Sequence, residues 1–166
     1  MSELNTSLAG VHDAVGALLA TADHVGSAWK IPRAPGKWSP SQVVEHVARI
    51  MEESAKVAAG APSAFPTIPF FLRPIGRILV FKRILRRNAF LKMKAIDAMD
   101  PPVGPATPQA ARVRLEAVLT RFDKACRARA ARGQKIASTI FGAVAVADFA
   151  RFQELHVRHH HSQLPE

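Results

Sequence analysis

Four of the seven histidines in this chain fall in one stretch, Leu155-His156-Val157-Arg158-His159-His160-His161-Ser162-Gln163. On a helix His156 and His160, four residues apart, project from one face one turn apart. Two imidazoles so placed can hold one transition metal, and a third ligand from a neighbouring helix would complete a three-histidine site. A purification tag is the bland alternative. The periodic segment before the run and Gln163-Leu164-Pro165-Glu166 after it argue against a tag. A zincin-type protease is excluded, because Val157 stands where its glutamate base would be.

The helix that carries the run explains why the pair reads as a site. At 100° per residue Phe149, Phe152, His156, His160 and Gln163 share a narrow arc, so an inward apolar stripe turns into a histidine stripe. Burying two imidazoles is costly unless they are hydrogen-bonded or ligated. His161 points roughly 140° away from His156 and is expected to be merely exposed. His159 is intermediate, placed to support a ligand or reach a substrate. His46 lies beside the core positions Val43 and Ile50 of another helix, where an apolar residue would be usual. Taken singly, it reads as a core histidine satisfied by a hydrogen bond.

Periodicity is helical almost throughout, and no segment alternates as a strand should. Leu4, Leu8, Val11, Val15, Leu18, Ala22 and Val25 mark a first amphipathic helix that ends before Ile31-Pro32. Ser39, Pro40 and Gln42 form the cap of a second, which runs toward Gly60. A spacer from Pro62 to Pro74, rich in proline and phenylalanine, cannot be a regular helix and is expected to cover the core or a pocket mouth. A basic helix is predicted from Gly76 to about Met99, with Ile78, Phe81 and Leu85 inward. Thr107-Pro108 caps another, with Ala111, Leu115, Val118, Leu119, Phe122 and Cys126 inward, ending near Gly133. A linker containing Gly142 leads to the last helix, Val146 to Leu164.

At 166 residues and 48% hydrophobic, the chain is long and apolar enough for one domain with a real core. No apolar run reaches membrane-span length and no signal peptide opens the chain, so a cytoplasmic protein is expected. The single cysteine, Cys126, excludes an internal disulfide and a thiolate zinc cage, and its place on an apolar stripe makes it inert. The net charge of +10 lies largely in two stretches: Arg73, Arg77, Lys82, Arg83, Arg86, Arg87, Lys92 and Lys94, with no acid among them, and eight more basic residues from Arg112 to Lys135, partly offset by Glu116 and Asp123. Such a face attracts nucleic acid, anionic membrane and acidic ligands alike, but no nucleic-acid signature accompanies it, so no specific nucleic-acid partner is expected.

Two segments carry a family resemblance. Gly36-Lys37-Trp38-Ser39-Pro40-Ser41-Gln42-Val43-Val44-Glu45-His46-Val47 resembles the Trp-Ser/Thr…His-Leu/Val signature of the DinB/YfiT-like superfamily. Phe149 to Leu164 is similar to that family's terminal His-x-x-His-His-x-x-Gln pattern. Phe141-Gly142 resembles the Phe-Gly turn of one branch, with Thr139-Ile140 where His-Pro is common. The resemblance spans essentially residues 1–166. It implies an all-α four-helix bundle, here with an additional basic helical segment, and a divalent metal, commonly zinc or nickel, held by His46, His156 and His160. It also implies a metal-dependent hydrolase, or a thiol-dependent transferase or isomerase that uses a low-molecular-weight thiol on a small substrate.

Three neutral imidazoles would leave the ion its charge and an open position for water or a thiol. No catalytic side chain is evident from the sequence; Gln42, Glu53, His159 and Gln163 are candidates for orienting ligands or water. The alternatives are a non-catalytic metal-binding protein and a basic polyanion binder. Bundles of this kind often pair through a helix face, so a homodimer is expected.

Overall fold

The chain folds into four long helices around one hydrophobic core, and the computed structural model describes residues 2–91 and 97–165. Helix α1 (Ser2–His24) is followed by a 3₁₀ turn (Gly26–Lys30) that buries Trp29. Helix α2 (Pro40–Ala59) starts at the expected capping box: Ser39 accepts from the Gln42 amide, while the Gln42 side chain accepts from the Ser39 amide. It stops at Gly60, whose φ of 80° is left-handed and costs a glycine little. Helix α5 (Pro108–Ala131) opens on the Thr107 cap and buries all six inward residues expected of it. Helix α6 (Val146–His161) carries the histidine stripe.

The helices pack in pairs, α1 along α6 and α2 along α5. Gly10 lets α1 close on α6, since a Cβ there would meet the Glu154 carboxylate at 2.3 Å. Glu154 is itself buried and is neutralised by Arg151 and Arg158 one turn to either side. On the other pair, Arg114 of α5 donates to Glu45 of α2 at 2.8 Å. Helices α2 and α6 touch over a shorter stretch, and there the candidate site lies.

Three expectations about the secondary-structure elements need correction. A two-stranded antiparallel hairpin, β1 (Ile136–Ser138) and β2 (Gly142–Val144), stands where a linker was expected, with Ile136 opposite Val144. Three-residue strands are too short for alternation to register as a pattern. The basic helix is shorter than expected: α3 (Arg73–Gly76), a π-turn (Arg77–Phe81) and α4 (Lys82–Arg87) end at Asn88, which is left-handed with φ 51°. The rest of the expected helix, with Lys92 and Lys94, reaches into 92–96, outside the described residues. The π-turn also shifts the inward face, because its wider turn breaks the 3.6-residue period. Phe81 and Ile84 are buried, Leu85 partly so, and Ile78 faces solvent.

Among the described residues no helix is long and apolar enough to cross a membrane. Cys126 is fully buried and its thiol is pushed up to about 12 by burial, so it is inert as expected. The exposed His12 pairs with Asp123, and His24 bonds the Ala20 carbonyl. His161 is more than a bystander: its ring meets the Thr21 hydroxyl at 2.8 Å and ties the end of α6 to α1.

Candidate metal centre

His46 from α2 and His156 and His160 from α6 come together in the interior. All three are buried, and one nitrogen from each lies within 4.8 Å of the others. Ring centroids are 4.6 Å apart for His46 and His160, 4.5 Å for His156 and His160, and 5.4 Å for His46 and His156. Burial lowers the pKa of all three imidazoles, His160 to about 3 and His156 well below its ordinary value; the neighbouring rings add to the effect at His156 and His160, while the Met99 carbonyl and Asp100 oppose it at His46. Neutral imidazole is the form that ligates a metal.

The hydrogen bonds around two of these rings fix which nitrogen is free. His46 Nδ1 lies 2.9 Å from the Met99 carbonyl, which can only accept, so His46 carries its proton there and keeps the Nε2 lone pair. His160 Nδ1 likewise donates to Gln163 Oε1 at 3.0 Å. Such outer partners set the tautomer and aim of ligating histidines. His156 differs: its Nδ1 is buried with no hydrogen-bond partner. An unpartnered buried polar atom costs about 1–3 kcal/mol. The donor set therefore fits a divalent metal: three neutral, buried, converging imidazoles with one ring nitrogen that the protein itself does not satisfy.

The second tier was only partly legible. Gln163 does bridge the site, since its amide also donates to His159 Nε2 at 3.2 Å. Gln42 lies one step away. It caps α2 and donates to the Pro101 carbonyl at 3.0 Å, holding the loop whose Met99 carbonyl orients His46. Trp38 and Arg49 hold the same loop at Asp100. Glu53 is not at the centre; its carboxylate accepts from Lys56 and from the Ala64 amide, fastening the proline-rich spacer to α2. No sequence signal pointed to Met99 or to Phe90, which packs on His156 at 5.1 Å and on His159 at 5.7 Å. Trp38, whose ring sits 4.6 Å from that of His46, was present in the motif but without a role.

The histidines form part of the wall of a cavity of about 1060 Å³. Phe65, Pro66 and Leu72 of the spacer line it, as expected of that segment, whereas Phe70 and Phe71 face solvent. His159 and Gln163 also reach the cavity, and no Asp or Glu does among the described residues. An ion held here would keep its positive charge and face a largely apolar space.

Comparison with curated proteins and with solved structures yields no match. A family profile does match, over residues 6–166. The chain belongs to the family described as protein of unknown function DUF1569.

Proposed function

We propose that this protein is a metal-dependent enzyme of the DinB/YfiT-like type, a four-helix bundle with an added basic segment. In this reading His46, His156 and His160 hold zinc or nickel, and the reaction is hydrolysis or a thiol-dependent transfer or isomerisation. The observation that carries it is the convergence of three neutral, buried imidazoles on the wall of a large cavity. When bound, the ion supplies Lewis acidity toward a water oxygen or a thiol sulfur at that wall.

The chain's own residues do the rest. Met99 and Gln163 hold the ligating rings in one tautomer. Trp38 packs on the ring of His46 and Phe90 on that of His156, which holds both rings in place at the wall. His159 is the wall's one imidazole outside the ligand set, among the described residues. Its Nε2 accepts from Gln163, which leaves its proton on Nδ1. That places a proton-holding group next to the ligands.

A closed, non-catalytic metal site would have no cavity at the ligands, which favours the enzyme reading. Cobalt-substituted protein tests the choice. Adding a small thiol is expected to produce a sulfur-to-cobalt charge-transfer band, marking an open coordination position. An unchanged spectrum with thiol, and with azide as a second probe, would mean a closed site and a structural metal.

A further inference from the structure

The cavity is larger and more apolar than a small polar substrate requires. Its volume of about 1060 Å³ lies just above the roughly 300–1,000 Å³ usual for small-molecule sites. On α6 its lining runs from Phe149 to His160, roughly 17 Å of helix at 1.5 Å per residue, and Gln163 continues it just past the helix end. The histidine end is polar and cationic: Arg33 donates to the Gln163 carbonyl at 2.9 Å, and Lys37 precedes Trp38, both lining the cavity. The remainder is walled by side chains such as Phe65, Leu72, Val80, Phe141, Phe149 and Phe152. Two polar side chains interrupt it, and the Ser138 hydroxyl is already occupied by the Ile140 and Phe141 amides. Gln153, 2% exposed and one turn before His156, lines the cavity with its Oε1 buried and unpartnered. A buried acceptor of that kind is destabilising until something donates to it.

We propose that the ligand is an anionic amphiphile. Its carboxylate or thiolate head sits at the histidine end beside Arg33 and Lys37, its long apolar tail runs along α6, and a hydroxyl or amide N–H meets Gln153. The head's position rests on the metal reading above; the tail site does not.

Calorimetric titration of tag-free protein with hexanoate, octanoate, decanoate and dodecanoate, with and without zinc, tests this. Burying one methylene contributes about 0.8 kcal/mol, so affinity is expected to rise about fourfold per methylene. Decylamine is expected to bind more weakly than decanoate. Ile75→Asp, at an exposed position on the wall, should flatten the series without unfolding the protein. Gln153→Leu should remove any preference for 3-hydroxydecanoate over decanoate. Affinity independent of chain length, or equal binding of decylamine, overturns the proposal. Zinc content measured on the same samples separates the two readings. A chain-length rise without zinc uptake removes the metal reading alone, and zinc uptake with a flat series removes the amphiphile alone.

A surface that adjoins the cavity at Leu72 and Ile75 carries a second inference. Phe70, Phe71, Leu72, Ile75, Ile78 and Leu79 are 41–78% exposed, an unusual density of large apolar side chains in solvent. Spaced by three and four, Ile75, Ile78 and Leu79 lead into Lys82, Arg83 and Arg86, and no acid occurs between Glu53 and Asp97. Apolar side chains beside exposed cations suit an anionic bilayer surface, which takes up both. A second copy of the same face would meet like charge, and nucleic acid would leave the phenylalanines uncovered.

We infer that residues 70–87 dock on anionic membrane. Sedimentation with phosphatidylcholine vesicles, alone or with phosphatidylglycerol, is expected to show binding only to the anionic mixture, weakened by salt. Each cation is worth roughly fivefold there, so Arg83→Gln with Arg86→Gln should cost roughly thirtyfold. Phe70→Ser with Phe71→Ser should abolish what salt leaves. Absence of vesicle binding overturns the inference, whether the patch then proves to mediate a dimer, hold DNA or hold an acidic protein.

Discussion

Around His156 and His160, polar rings are buried among phenylalanine and tryptophan side chains; in residues 70–79, phenylalanine, isoleucine and leucine side chains stand in water near arginines. Each region inverts the usual sorting of residue types. The chain elsewhere shows how it handles such exceptions unaided. Buried Glu154 is met by two arginines, and buried Glu45 by Arg49 and Arg114. Among the described residues no carboxylate bonds a ring of the histidine centre; the rings meet the Met99 carbonyl and the Gln163 side-chain oxygen, with Asp100 acting on His46 only through its charge, and Nδ1 of His156 is unpartnered. The exposed apolar strip likewise has no protein cover among the described residues. The metal, amphiphile and membrane proposed above share one premise: where a polar group is buried without its complement, or an apolar group exposed without one, the complement is sought outside the chain.

The largest test of the contrast is acid. Each of the three histidines has a folded pKa below its ordinary value of 6.5, so the unfolded chain binds more protons as pH falls. Stability of the metal-free protein is therefore full above pH 6.5 and lost as pH drops toward the folded values, about 3 for His160. Thermal melts between neutral pH and pH 4 should show it, and His160→Gln should make the slope shallower. An ordinary core position gives the reference: Phe122→Ala is expected to cost about 3–5 kcal/mol by denaturant titration while metal uptake survives. Next, Gln163→Leu should weaken zinc binding by about 10–100-fold, read by chelator competition, with helical content unchanged. The smallest effect belongs to the strip, where Leu79→Ser should change folding stability by no more than about 0.5 kcal/mol.

Much of this was readable from residues whose local rule and tertiary role agree. Ser39, Gln42 and Thr107 cap helices by contacts three residues away, and the stripe from Phe149 to Gln163 follows from helical period alone. What escaped depends on long-range placement or on breaks in the period. Glu53 shares a helix face with His46, yet its carboxylate is taken by a backbone amide eleven residues on. Met99 orients His46 through a carbonyl that every residue possesses, so its identity gives no clue. The π-turn moved Ile78 outward, and the hairpin was too short to show alternation.

The central claim is that His46, His156 and His160 form one metal site. Zinc titration of tag-free wild type and of His46→Ala, followed by elemental analysis after gel filtration, tests it most directly. One equivalent in the wild type and none in the variant, with unchanged helical content, is the expected result; one equivalent retained by His46→Ala would contradict it.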